Sequence, residues 1–320
     1  MAVINRIGEF HADMTAWRRD LHKHPETAFE ELRTSDFVAE KLREFGLEVH
    51  RGLAGTGVVG LLAGKADNGR FVGLRADMDA LHIHEQNAFD HCSVHEGKMH
   101  ACGHDGHTTM LLGAARYLAE TRNFEGRLAF IFQPAEENEG GAEVMIRDGL
   151  FDEFQVQEVY GLHNWPGLPL GEIALRSGPA MAAFDVFEMT VTGRGAHGAM
   201  PHQGIDPIVV AAQIVTALQT IPSRRTNPID AVTVSVTQIH AGDTWNVIPE
   251  EVVLRGTARS FRAEVQDRIE ADIARIAEGI CASQGARMTL DYQRRYPALV
   301  NAERESAVAA AAAASVVGDA

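Results

Sequence analysis

Over the first 180 residues, short apolar runs alternate with amphipathic stretches; near Ala183 that pattern gives way to another. Ile4, Ile7, Met14, Trp17 and Leu21 recur at helical spacing, and Pro25 closes the segment. Phe37, Val38, Leu42 and Phe45 mark a second helix, stopped at Gly46. Gly57–Leu62 and Phe71–Arg75 read as buried strands, Thr108–Glu120 as a helix, and Leu128–Phe132 and Val159–Leu162 as further strands. Strands taking turns with helices imply an α/β architecture: a doubly wound, mostly parallel sheet with functional loops at the carboxyl ends of its strands.

Beyond Ala183 the order becomes strand (Phe184–Val191), helix (Pro207–Leu218), strand (Ala231–Ile239), strand (Val252–Phe261), helix (Ala263–Ala282), strand (Met288–Tyr292). Val232, Val234 and Val236 alternate with Thr233, Ser235 and Thr237, the signature of a half-buried strand. The order β-α-β-β-α-β is that of a ferredoxin-like α+β domain. Residues 183–295 are therefore expected to be an inserted domain, within a first domain made of 1–182 and a return over 296–320. The return holds one helix, around the tract Ala309–Ala314, and no strand after it. The C-terminal part of the first domain is thus expected to be missing.

Against 29 Lys+Arg the chain carries 44 Asp+Glu, a formal charge of −15. That excludes a basic footprint for nucleic acid and opposes docking on an anionic membrane. No stretch approaches the roughly 20 apolar residues of a membrane span, and no secretory leader is visible, so a cytoplasmic location is expected. Three cysteines (Cys92, Cys102, Cys281) do not make a disulfide framework.

Four segments carry metal-type ligands. His100-Ala101-Cys102-Gly103-His104-Asp105-Gly106-His107 places four His or Cys side chains within eight residues. Cys102 and His104, two apart, would point the same way on an extended segment, and thiolate with imidazole suits a borderline-soft divalent cation. Gln133-Pro134-Ala135-Glu136-Glu137 follows an apolar strand; one carboxylate could bind metal while the other takes a proton from water, or the pair could be a solvated turn. His163 ends another strand and by itself would read as a core histidine. Asp77 and Asp79 end a fourth, where they could bind metal, hold a ligand histidine or cap a helix. Convergence of four such loops on one sheet edge favours a site. In the inserted segment, His197 and Asn246 could polarise a carbonyl or stabilise an oxyanion, and Arg259 could clamp a carboxylate, though turn and surface roles are open.

The set HPETAFEE, LRADMDALHI, MHACGHDGH, FQPAEE, GLHNWPG, GAHGAMPH and NVIPEEV resembles the metal-dependent amidohydrolases that include hippurate hydrolases, indoleacetyl-amino-acid hydrolases and N-acetyl-diaminopimelate deacetylases, within the aminoacylase–carboxypeptidase metallopeptidase clan. The resemblance runs over nearly the whole chain. It implies two divalent metal ions, zinc or manganese and otherwise cobalt or nickel, and cleavage of an N-acyl amino acid by Glu-assisted attack of a metal-activated water. It implies Cys102, His104, Glu137 and His163 as metal ligands, Glu136 as general base and Asp79 as an aspartate beside the metals. It further implies His197 as a lid histidine completing a site across a homodimer formed through 183–295, with Asn246 and Arg259 contacting substrate. The family also takes a histidine ligand from a C-terminal segment, whereas this chain has no histidine after His240. A dipeptidase or carboxypeptidase on the same scaffold, or a catalytically silent metal-binding or dimerising chain, are the competing expectations.

Overall fold

The structure, a computed structural model, describes residues 5–137 and 139–318, so Ile4 lies outside the described residues. Two compact units divide the chain: Met1–Leu175 with Val308–Ala320, and Arg176–Ala307. Among the described residues no helix is long and apolar enough to cross a membrane.

The first unit contains α1 (Asn5–Glu9), α2 (His11–Lys23), α3 (Leu32–Glu44), β1 (Glu48–Arg51), β2 (Val58–Ala63), β3 (Phe71–Asp77), α4 (His104–Thr121), β4 (Arg127–Gln133), α5 (Gly141–Arg147), α6 (Leu150–Phe154) and β5 (Glu158–Gly161). The helix expected over 4–21 is two helices, broken at Phe10, whose backbone N–H bonds to Ile7 O at 3.0 Å. The five strands lie in the order β1-β2-β4-β3-β5. Side chains of β4 point alternately to two faces. Phe130 and Phe132 pack with Val38, Leu42 and Leu112 from α3 and α4, whereas Ala129 and Ile131 pack with Met145 and Phe154 from α5 and α6. Each large apolar side chain so buried contributes about 1.5–3 kcal/mol. Helices on both faces make the sheet doubly wound.

The expected mostly parallel sheet is corrected to a mixed one. β3 runs parallel to β4 and β5, but β1 is antiparallel to β2 and β2 to β4. A parallel pair needs a crossover of about a dozen residues, usually a helix. The turn from Arg51 to Val58 is too short for one, and no helix separates β2 from β3.

The second unit contains β6 (Gly178–Met181), β7 (Ala183–Thr192), β8 (Ala196–His197), α7 (Pro207–Leu218), β9 (Thr233–His240), β10 (Val247–Ile248), β11 (Glu251–Ser260), α8 (Ala263–Gln284), β12 (Arg287–Tyr296) and β13 (Leu299–Asn301); α9 (Glu303–Val317) follows. Its antiparallel sheet has the order β12-β7-β11-β9, the ferredoxin-like arrangement. Phe187, Met189, Val191 and Leu254 bury one face against Ile214 and Ile273 of the two long helices. The unit extends on both sides of 183–295 because β6 pairs with β13.

Candidate metal centre and active site

The three parallel strands of the first unit end side by side: Asp77 is opposite Gln133 on β4, and Arg75 opposite Gly161 on β5. The loops that follow carry Asp79, Glu136–Glu137 and His163–Asn164. The fourth contribution is the start of α4. His104 is its first residue, so Cys102 and His104 do not share the extended segment expected for them. Gly103 between them is left-handed at φ 92, and a Cβ there would overlap the Asn164 carboxamide. The turn at Gly103 still brings both side chains to one place. Sγ of Cys102, a ring nitrogen of His104 and one of His163 lie within 4.8 Å of one another, as do donor atoms of His104, Glu136 and Glu137.

Hydrogen bonds fix which atoms face the centre. His163 Nδ1 donates to Asn164 O at 2.6 Å, leaving Nε2 as a lone pair 3.5 Å from Cys102 Sγ. His104 Nδ1 donates to Asp79 Oδ1 at 3.3 Å, which turns its Nε2 inward. Nε2 is buried and has no hydrogen-bond partner, and neither has Glu137 Oε1, 3.8 Å away. Around one tetrahedral ion a sulfur and an imidazole nitrogen lie roughly 3.5 Å apart and a nitrogen and a carboxylate oxygen roughly 3.3–3.5 Å, so the Cys102–His163 pair fits a shared cation as it stands and the His104–Glu137 pair would close by about 0.3 Å on one. Unpartnered buried polar atoms are costly unless something occupies the space between them. The chemistry of the set, one thiol, two imidazoles and a carboxylate, suits a divalent transition metal.

Asp79 organises this cluster. It is 1% exposed and takes the backbone N–H of Glu136 on Oδ1 (3.0 Å) and that of Glu137 on Oδ2 (2.9 Å), besides His104. Asp77 accepts from His107 Nδ1 at 2.6 Å and from Arg75 at 2.7 Å. His107 Nε2 in turn receives the Asn164 N–H at 3.0 Å, which anchors the loop carrying His163. The charges agree with a cation site. Burial alone would push the His104 imidazolium down, but Asp79, Cys102 and the Asp77 charge override it and hold it up at about 11, so without a cation Nε2 carries a proton, which a bound cation would replace. Burial, helped by the charges of Glu137 and Asp77 and opposed by His104, raises the Glu136 carboxyl above its usual range.

His197, Asn246 and Arg259 belong to the second unit. His197 pairs with Val247 across β8 and β10, and Gly198 N donates to Asn246 O at 2.7 Å, so the first two are neighbours. His197 Nδ1 accepts the Ala199 N–H at 3.1 Å; the exposed Nε2 therefore carries the proton when the ring is neutral. Arg259 lies over the Phe184 ring, its guanidinium carbon 4.0 Å from the centroid, and donates to Ala258 O. It sits on β11 about 26 Å from Glu251, where that strand leaves the His197–Asn246 ribbon, at roughly 3.3 Å per residue. The unit does not bring these three together.

Sequence reasoning missed Asn164 as an anchor and Glu31, which is fully buried and accepts the Ala135 N–H at 2.9 Å. The signal for Asn164 was its place directly after His163. For Glu31 the signal was its place at the end of HPETAFEE, one of the motifs that carry the resemblance, although nothing in that segment tells an inward-facing glutamate from a solvated one.

A model of Peptidase family M20/M25/M40 matches residues 73–320. The chain is 45% identical over 298 residues to the N-acyl-L-amino acid amidohydrolase of Geobacillus stearothermophilus, covering 92% of this chain and 80% of that protein. It is 39% identical over 319 residues to the hippurate hydrolase of Campylobacter jejuni, covering 100% of this chain and 83% of that one. Among solved structures it is similar to the Bacillus subtilis YXEP protein, described as a dinuclear metal binding peptidase from the M20 family, with TM-score 0.81 and 37% identity over 96% of this chain and 80% of that one. With motifs, donor geometry and family model in agreement, the chain belongs to Peptidase family M20/M25/M40, hydrolases of amide bonds.

Proposed function

We propose that the chain hydrolyses the amide of N-acyl amino acids, hippurate-like compounds among them. The observation that carries this is Glu136: a carboxylate raised by burial, 3.9 Å from the unpartnered His104 Nε2 and beside the unpartnered Glu137 Oε1. Cys102, His104, Glu137 and His163 would hold two divalent cations, zinc or manganese first, which when bound supply Lewis acidity to the carbonyl and to water. Glu136 takes the proton of the attacking water on its carboxylate and returns it to the departing amine. A raised carboxyl suits both halves of that task, because an acid–base group works best with its pKa near the working pH. Asp79 fixes the loop that aims Glu136 and keeps His104 Nε2 inward. Names of relatives that cleave acyl amino acids support the substrate class.

His197 Nε2–H is a donor suited to an oxyanion, and Arg259 to a substrate carboxylate. One copy of the second unit holds them too far apart to serve one small substrate. That separation supports a homodimer through residues 183–295, in which His197 and Asn246 act in a partner subunit's site.

The test is Glu136→Gln, assayed on benzoyl-glycine and acetyl-amino acids with added zinc, manganese, cobalt or nickel. Turnover is expected to fall about 10²–10⁴-fold, with bound metal unchanged. Full activity in this variant would remove Glu136 from the mechanism. No turnover of any acyl amino acid by the parent chain, with any of the four metals, would remove the substrate class.

A further inference from the structure

Glu136 and Glu137 follow a residue in an unusual conformation. Ala135 has φ 51, in the left-handed region that side chains other than glycine disfavour, and it is fully buried. Such a residue persists only where its surroundings hold it. Three consecutive backbone N–H groups, those of Ala135, Glu136 and Glu137, are each received by a carboxylate. Asp79 takes the last two. Glu31 takes the first, on Oε1 at 2.9 Å.

Glu31 stands 104 residues away in the chain and comes from a different element. It precedes α3, where a side chain would ordinarily cap the first turn. Here Glu26 does the capping, accepting from Arg33 N at 3.0 Å and Thr34 N at 2.8 Å. The Glu31 carboxylate is thereby free to turn inward. Its Oε1 also accepts the Phe29 N–H at 3.1 Å, and Oε2 accepts the Thr56 hydroxyl at 2.7 Å. On the other side of the turn, Gly141 N donates to Ala135 O at 2.9 Å, and a Cβ at Gly141 would strike Pro134 O.

We infer that Glu31 is a positioning residue for the Glu136–Glu137 pair, acting through the Ala135 N–H and touching neither substrate nor metal. The inference rests on the assignment of Glu136 and Glu137 as base and ligand. All three of its bonds require an acceptor or a hydroxyl partner, and none requires charge. A glutamine keeps the two backbone bonds on its oxygen and can donate to the Thr56 hydroxyl. An alanine leaves a buried N–H without a partner and releases the turn.

The experiment compares Glu31→Gln and Glu31→Ala with the parent in two ways. Hydrogen exchange of the metal-free full chain follows the peptide spanning 134–137, and steady-state kinetics with benzoyl-glycine and added zinc separates kcat from KM. For Glu31→Ala, exchange in that peptide is expected to rise about tenfold with the rest of the unit unchanged. Its kcat should drop about a hundredfold at near-constant KM, the mark of a misplaced catalytic group. Glu31→Gln should match the parent in both measurements within about threefold. Unchanged exchange in Glu31→Ala, a rise spread over the whole unit, or a Gln variant as impaired as the Ala variant would each overturn the inference. If Glu31→Ala does not fold, Thr56→Val replaces it, with a local rise of about threefold expected and no rise refuting. An inactive parent would defeat the substrate reading, while the exchange measurement would still decide the role of Glu31.

Discussion

Replacing Asp79 with Asn changes one atom's chemistry at constant size. The retained oxygen, in the place of Oδ1, continues to accept from Glu136 N and His104 Nδ1. The new NH2 group takes the place of Oδ2 and meets the Glu137 N–H across 2.9 Å, donor against donor. Flipping the carboxamide moves the same conflict to Glu136, 3.0 Å away, and to His104. A buried amide left without an acceptor costs about 1–3 kcal/mol, so the metal-free unit should lose about 2 kcal/mol of stability. The bond that orients His104 also loses its ionised acceptor. Partners of this kind are worth about 10–100-fold in metal affinity, equivalent to about 1.4–2.7 kcal/mol. Competition of the metal-free variant against a fluorescent zinc chelator measures the second effect, and a urea titration the first. Zinc affinity within twofold of the parent would refute the claim that Asp79 sets the direction of His104 Nε2 and the Glu136–Glu137 turn.

Other expectations follow from the same contacts. Gly103→Ala must adopt a left-handed φ at about 1–2 kcal/mol and clash with Asn164; it should lower the urea midpoint and weaken metal binding, whereas an unchanged midpoint would contradict the close approach. Cys102→Ser removes the thiol partner of His163 and should shift metal preference from zinc toward harder ions such as manganese, read by competition titration. The pH dependence has a definite sign at His22, whose pKa is raised by its bonds to Asp105 and Glu85 against burial. Its contribution is complete below about pH 6.5 and is lost as pH rises through the raised value, so stability of the metal-free chain should decline above that point. His22→Gln should flatten this decline, and an identical slope in the variant would remove His22 as its source.

Periodicity made most of the elements legible. The Val and Thr alternation of β9 and the unbroken apolar run of β4 each report how many faces a strand buries, which is a local property. The direction of β2 was not legible, because it depends on what the short turn after Arg51 permits rather than on any face. The chain order around His104 was misread for a similar reason: its residues are polar, so nothing marked them as the first turn of α4. The candidate donors could be picked out because thiol, imidazole and paired carboxylates are rare together, and the fold does bring them within reach of one another. Their supports were not. Glu31 accepts the Ala135 N–H, and Asn164 gives its own N–H to His107 Nε2; a sequence carries no sign of which distant group such an N–H will meet, and Asp79 was the exception, read as an aspartate able to hold a ligand histidine.

Nearly every contact that defines the centre joins distant parts of the chain. Cys102 and His163 are 61 residues apart, His107 and Asn164 57, and Glu31 and Ala135 104. Closing such loops is an entropic cost met late in folding, after local helices have formed. The centre should therefore be absent from any partly folded state, and a refolding chain should acquire zinc only in its slowest phase. Because the ion would bind the finished unit alone, its presence also adds stability in proportion to the logarithm of its concentration. Metal supply would then govern how long the protein lasts as well as what it can do.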